Sequence, residues 1–168
     1  NKEPWSFITR EQAGVMCARS GKRLPSAHEW YQYALGTNES KCNINSSSFT
    51  PGNKYQECNS AVDVKNTVGN VWEWVSDDVI NGVYEGRSLP ETGYVVQVDN
   101  GGIATVTSQN DLSAESGIGG YFWSNATGTY AVIRGGFYGS RSDASVFNTH
   151  TYTSPNFASA GIGFRCVR

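Results

Sequence analysis

"IRGGFYGSRSDASVFNTHTYTSPNFASAGIGFRCVR" closes the chain at residues 133–168. Its ends are specified in a way that its middle is not. Arg134-Gly135-Gly136 sets a cation beside two residues free to take positive φ or a close backbone approach, and Gly163-Phe164-Arg165-Cys166 leads into the C-terminus. Between them Ser, Thr, Asn, Tyr, Phe, Asp, His, Gly and Ala follow no evident period.

The composition of this region is unusual. Lys, Glu, Gln, Met and Trp together number 25 in residues 1–123 and zero in residues 124–168. At the earlier rate of roughly one residue in five, so long an absence arises by chance about once in tens of thousands of trials. The aromatics that remain, Phe137, Tyr138, Phe147, Tyr152 and Phe157, are mixed with small polar residues. Antibody paratopes hold the same balance, because Tyr and Phe give contact area at low rotamer cost while Ser, Asn and Gly adapt their hydrogen bonds.

Totals for the 168 residues set outer bounds. The length suits one domain with a real core. A formal charge of -2 carries no basic footprint for nucleic acid. With 17% charged residues and 19 glycines, the chain reads as globular and rich in loops. No apolar run reaches the ~18 residues of a membrane span, and no signal peptide opens the sequence. Cys17, Cys42, Cys58 and Cys166 show no C-x-x-C spacing, and there are two histidines in all, which argues against zinc or a His-rich metal site. Four cysteines allow two disulfides in three connectivities, or four buried thiols.

Working back toward the N-terminus, Thr9 with Gln12 forms a capping box, and a helix should run from there to about Ser20 with Ala13, Met16 and Cys17 inward. Ser26 with Glu29 opens a second helix that Gly36 ends, burying Trp30, Tyr33 and Ala34. Residues 37–66 read as a long loop, with Cys42 and Cys58 placed for a local bridge. "GNVWEWVSD" (69–77) is dense in aromatics, and its Trp72 and Trp74 are expected to point to opposite sides if extended. "YVVQV" (94–98), "IATVT" (103–107), "YAVIR" (130–134) and "FRCV" (164–167) read as short strands. The expected class is α+β, two helices with small antiparallel sheets and long loops. Arg134 and Arg165 are expected to pair with buried acids or carbonyls.

"CARSGKRLPSAHEW" (17–30), "GNVWEWVSD" (69–77) and "IRGG…GIGFRCVR" (133–168), in this order, resemble the formylglycine-generating-enzyme (sulfatase-modifying factor) branch of the C-type lectin fold. The resemblance spans nearly the whole chain and implies that fold. It also implies disulfides Cys17–Cys166 and Cys42–Cys58, and a structural Ca²⁺ held by oxygens of Asn66, Gly69, Val71 and Glu73, with no other cofactor required. The oxidase members carry two copper-binding cysteines after Arg-Gly-Gly, where this chain has Ser140 and Ser145. A serine hydroxyl does not replace a thiolate as a soft ligand. The iron-dependent relatives need three histidines. The resemblance therefore implies the scaffold without its catalysis. Glu-Pro-Asn, Gln-Pro-Asp and Trp-Asn-Asp, the calcium-and-sugar triplets of the wider fold, are absent, and "SPN" (154–156) lacks the carboxylate.

Within this branch, the tail is similar to that of the variable proteins of diversity-generating retroelements. Those elements mutate adenines in a templated copy of the gene's 3′ end, so that an AAC codon becomes NNC, which never encodes Lys, Glu, Gln, Met or Trp. The shared landmarks here are Arg134-Gly135-Gly136, Val146-Phe147, Pro155 and Ile162-Gly163-Phe164-Arg165-Cys166. By that resemblance residues 124–168 form a variable ligand-binding region within a single domain, residues 1–168. Its changeable positions would include Tyr138, Gly139, Ser140, Arg141, Asp143, His150, Tyr152, Thr153, Phe157, Ser159, Ala160 and Gly161. The implied role is non-enzymatic recognition of a protein or cell-surface ligand, in an extracellular, cell-surface or virion-surface setting. The alternatives are a formylglycine-generating-type oxidase or degenerate relative, and a sugar-binding surface module.

Overall fold

Thr9 and Ser26 start the two long helices as their sequences dictate. In the computed structural model, which describes residues 2–168, α1 spans Arg10–Arg19 and α2 spans Ala27–Ala34, and both capping boxes are complete. Thr9 Oγ1 accepts from the Gln12 amide at 3.2 Å, and Glu29 Oε2 accepts from the Ser26 amide at 2.9 Å. Each cap contributes about 1 kcal/mol by satisfying amides that the first turn leaves unpaired. Ala13 and Cys17 are buried on α1, and Trp30 and Ala34 on α2; Met16 and Tyr33 are half-buried at the edges of those faces. A one-turn α3 covers Ser113–Ser116.

The sheet is larger and more mixed than the sequence suggests. Nine strands take part: β1 Trp72–Ile80, β2 Val83–Tyr84, β3 Arg87–Ser88, β4 Gly93–Val98, β5 Ala104–Ser108, β6 Tyr121–Trp123, β7 Thr129–Arg134, β8 Thr149–Thr153 and β9 Ile162–Phe164. The order is β3-β2-β1-β7-β8-β6-β4-β5, with β9 also on β1. Two pairings, β1 with β9 and β6 with β8, are parallel, so the expectation of small antiparallel sheets is corrected to one mixed sheet. The C-terminal strand returns beside the middle of the chain, and that long return allows parallel pairing. The α+β class stands.

β1 divides two cores. Its first four residues are all buried, one face against each helix, which is why the segment shows no alternation in sequence. Trp72 and Trp74 lie in one cluster with Ile8, Ala13, Cys17, Ala131, Ile133 and Ile162. The expectation that the two tryptophans face opposite ways is wrong: residues two apart in a strand share a face. Val75 and Val79 belong to the other cluster, with Trp30, Val68, Phe122 and Val132.

Between these cores sits a buried ionic knot. Glu73, 4% exposed, accepts from Trp30 Nε1 at 2.7 Å, from Arg165 Nε at 2.6 Å and also from Arg165 Nη2. Arg165 Nη2 further donates to the Lys65 and Asn66 carbonyls. Arg134, fully buried, donates Nη2 to the Val146 carbonyl at 2.9 Å and lies 5.0 Å over the Trp30 ring. Beside it Gly135 has φ 91, and a Cβ there would sit 2.4 Å from the Thr67 carbonyl oxygen. The Arg-Gly-Gly motif thus needs its glycine for close approach.

Disulfides join Cys17 to Cys166, 149 residues apart, and Cys42 to Cys58. The first ties α1 to the C-terminus, where Arg23 and Val167 form a two-residue bridge. The second pins the 37–66 loop, whose one regular piece is a 3-10 turn at Glu39–Lys41. No helix among the described residues is long and apolar enough to cross a membrane. Replacing Arg165 with Ala leaves Glu73 buried without its cation, and the denaturant midpoint should fall by the equivalent of about 3–5 kcal/mol.

Candidate functional site: an aromatic pocket at the C-terminal loops

β8 reads "THTYT", and its burial alternates strictly. All three threonines are buried and bond their hydroxyls locally: Thr149 and Thr151 turn inward, Thr151 donating to the Trp123 carbonyl at 2.8 Å, while Thr153, 2.9 Å from His150 Nδ1, borders a cavity on the other face. β-branched Thr suits such a strand, although hydropathy alone gives no sign of one. The other face presents His150 and Tyr152.

Those two side chains enter a cavity of about 510 Å³. Trp72 from β1, Ile133 from β7 and Ile162 from β9 build its floor. Phe137 and Tyr138 wall one side, and the loop between β8 and β9 closes the other. The aromatic rings support one another: His150 stacks on Trp123 at 5.5 Å, Tyr152 lies 4.3 Å from His150, and Trp72 meets Trp123 edge-on at 5.7 Å.

Eight of the twelve positions singled out in the sequence line this cavity: Tyr138, His150, Tyr152, Thr153, Phe157, Ser159, Ala160 and Gly161. Gly139, Ser140, Arg141 and Asp143 do not. They form the adjoining shoulder, where Ser140 Oγ accepts from the Phe137 amide at 3.0 Å and the Arg141 amide donates to the Ile44 carbonyl at 2.6 Å. Sequence reasoning missed Trp72, Ile133, Phe137, Ser154 and Ile162 as lining groups. An i, i+2 reading of Trp72 and Trp74 would have put Trp72 on the face it occupies.

No lysine, arginine or carboxylate lines the cavity. Its one titratable group near neutrality is His150, whose pKa burial lowers to about 4. The pocket therefore presents neutral aromatic, hydroxyl and backbone groups at physiological pH.

Two of the four residues expected to hold calcium are engaged with other partners. Both Glu73 oxygens receive Arg165, the Asn66 carbonyl accepts from the same guanidinium, and Asn66 Nδ2 donates to the Gly52 carbonyl at 2.7 Å. Glu73, the one carboxylate of the set, does not fit a calcium ligand as held here, because Arg165 already supplies the charge it would answer. Copper chemistry fits no better. All four cysteines are in disulfides, Ser140 Oγ caps a turn, and Ser145 Oγ donates to the Gly119 carbonyl at 2.8 Å.

His150 links the pocket to pH. An unfolded chain binds its proton near pH 6.5 and the folded chain near pH 4, so stability held at neutral pH is lost as pH falls through that window. The stability difference between the wild type and His150→Gln should be flat above pH 6.5, shift against the wild type down to about 4, and level off below, as read from urea unfolding at each pH.

Comparison with known proteins places the architecture. Among solved structures, the chain is similar to the Major Tropism Determinant P3c variant, with 19% identity and a TM-score of 0.61 over 94% of this chain and 36% of that one. The U1 variant gives 18% identity and a TM-score of 0.59 with the same coverage. The chain thus spans about a third of the length of those relatives, and at such identity the likeness establishes a shared fold. That fold is the C-type lectin fold expected from the motifs. No curated protein sequence matches it. The family described as "Sulfatase-modifying factor enzyme 1-like domain" matches residues 1–168. With the Arg-Gly-Gly glycine, the Glu73–Arg165 knot and the Cys17–Cys166 tie all in place, the chain belongs to the sulfatase-modifying factor enzyme 1-like family.

Proposed function

We propose that this chain is a non-enzymatic recognition protein, a variable protein of a diversity-generating retroelement that presents a changeable surface on a C-type lectin scaffold. One observation carries the reading. Eight of the twelve positions singled out as changeable, from Tyr138 to Gly161, come together around one aromatic cavity, while the ionic knot and both disulfides lie outside its lining. The absence of Lys, Glu, Gln, Met and Trp from residues 124–168 supports an adenine-directed mutational origin. The solved relatives carry the name tropism determinant, which supports recognition as the role.

The ligand is a protein or cell-surface molecule, met outside the cell or on a cell or virion surface. Binding rests on aromatic anchors such as Tyr138, Tyr152 and Phe157 and on few charges, the pattern of interface hot spots. The family's name describes an enzyme, and oxidation of a peptide cysteine with copper is the competing reading. The commitment of every cysteine to a disulfide supports recognition over that chemistry.

Two tests follow the two halves of the proposal. For recognition, the probe is a set of peptides selected from a displayed random library on the wild-type protein. Tyr152→Ala should release them and leave the melting temperature nearly unchanged, since Tyr152 is only partly buried at the cavity edge. A large fall in melting temperature would assign Tyr152 to the core. For origin, the DNA beside the gene should hold an imperfect copy of its 3′ end, differing at adenines, next to a reverse transcriptase. Neighbouring DNA without such a copy removes the retroelement.

A further inference from the structure

Two aromatic side chains outside residues 124–168 stand uncovered beside the pocket loop. Phe7 is 69% exposed and Trp5 is 58% exposed, both more than Phe157 on the loop itself at 50%. The N-terminal segment runs along that loop. The Phe7 amide donates to the Ser159 carbonyl at 3.0 Å, the Arg10 amide to the Pro155 carbonyl at 3.1 Å, and the Trp5 ring lies 6.0 Å from Phe164. Ser159 and Phe157 also line the cavity, so Phe7 is tied to its rim.

Phe7 also has φ 54. A bulky L residue at positive φ crowds its own Cβ against the backbone, a position that glycine or asparagine fills at lower cost. Buried aromatics recover such a cost through packing, but a ring this exposed recovers little. Strain of this kind, held by the bonds of the Phe7 and Arg10 amides to the pocket loop and presenting a side chain to solvent, points to a role in contact.

Granting the recognition role proposed above, we propose that Phe7 is a fixed apolar contact on the rim of the recognition surface, covered by uncharged apolar side chains of the protein partner. Continuity and charge select that occupant. The rim shares Ser159 with the cavity, and the cavity offers no charged side chain, so the partner surface that meets both is neutral and apolar. Trp5 and Phe7 lie in the part of the chain that retains Lys, Glu, Gln, Met and Trp. A contact there would serve whichever residues occupy the changeable positions, adding a constant increment of affinity beneath a variable specificity.

The test uses the peptides selected on the wild-type protein that Tyr152→Ala releases. Phe7→Asn suits the positive φ, so it should melt at the same or a higher temperature while weakening peptide binding by roughly tenfold. Phe7→Tyr keeps the ring and should keep the affinity. Binding to Phe7→Asn within about twofold of wild type, with Tyr152→Ala still releasing the peptide, overturns the rim contact and leaves the pocket reading standing. Weaker binding together with a lower melting temperature makes Phe7 a packing residue and also overturns it. A library yielding no peptide that Tyr152→Ala releases removes both.

Discussion

The buried carboxylate of Glu73 is the point on which the frame turns. It receives Trp30 from α2 and Arg165 from beyond β9, and so joins three segments that are distant in sequence. A carboxylate this buried is costly unless each lone pair finds a donor, and the guanidinium fork supplies two donors along with the compensating charge. The pairing has a directional consequence. With Arg165 held, β9 lies parallel to β1 in register, Trp72 opposite Ile162 and Trp74 opposite Phe164. The Cys17–Cys166 bridge then closes the same region covalently, next to the ionic contact. Loss of geometry at Glu73 would therefore be felt at the C-terminus and, through Ile162, at the floor of the pocket.

Strands and loops contribute differently to the pocket. Trp72, Ile133 and Ile162 come from strands and keep the cavity floor apolar, whereas Tyr138, Phe157, Ser159, Ala160 and Gly161 come from the two loops flanking β8. Several of the loops' backbone bonds go to turns and other loops, such as Tyr138 to Asn70 and Phe157 to Ser154, while the Gly161 carbonyl accepts from Trp72 of β1. On β8, His150 and Tyr152 line the pocket while Thr149 and Thr151 hold the opposite face, so alternation lets one strand serve both purposes, and Thr153 at its end borders the cavity as well. The family's enzymes and this chain share a scaffold, but function follows the site grafted on it.

Much of the frame was legible because it is governed by local chemistry. The capping boxes at Thr9 and Ser26 are short-range hydrogen bonds between residues three apart, and they formed where the sequence places them. Motif resemblance carried the pairing of Cys17 with Cys166 and of Cys42 with Cys58, which spacing alone left open among three connectivities. Strand content was less legible. β1 is buried on both faces, β8 is built from threonine, and β2, β3 and β6 are two or three residues long, so none shows a hydrophobic period. Trp72 and Trp74 share one core because residues two apart in a strand face the same side. That Arg165, 92 residues from Glu73, answers the carboxylate was not legible either, since nothing local to Glu73 shows it.

By itself the sequence determined the helices, the special glycines of the Arg-Gly-Gly motif, the family and the biased composition of its last 45 residues, since each depends on neighbouring residues or on residue identity. Only the tertiary structure decided that eight of the singled-out positions share one cavity and four form its shoulder, that Glu73 serves an arginine, and that Phe7 stands on the same rim. The physical reason is common to all three. Each is a meeting of segments far apart along the chain, set by sheet register and a buried charge pair, and neither leaves a periodic trace in the order of the amino acids.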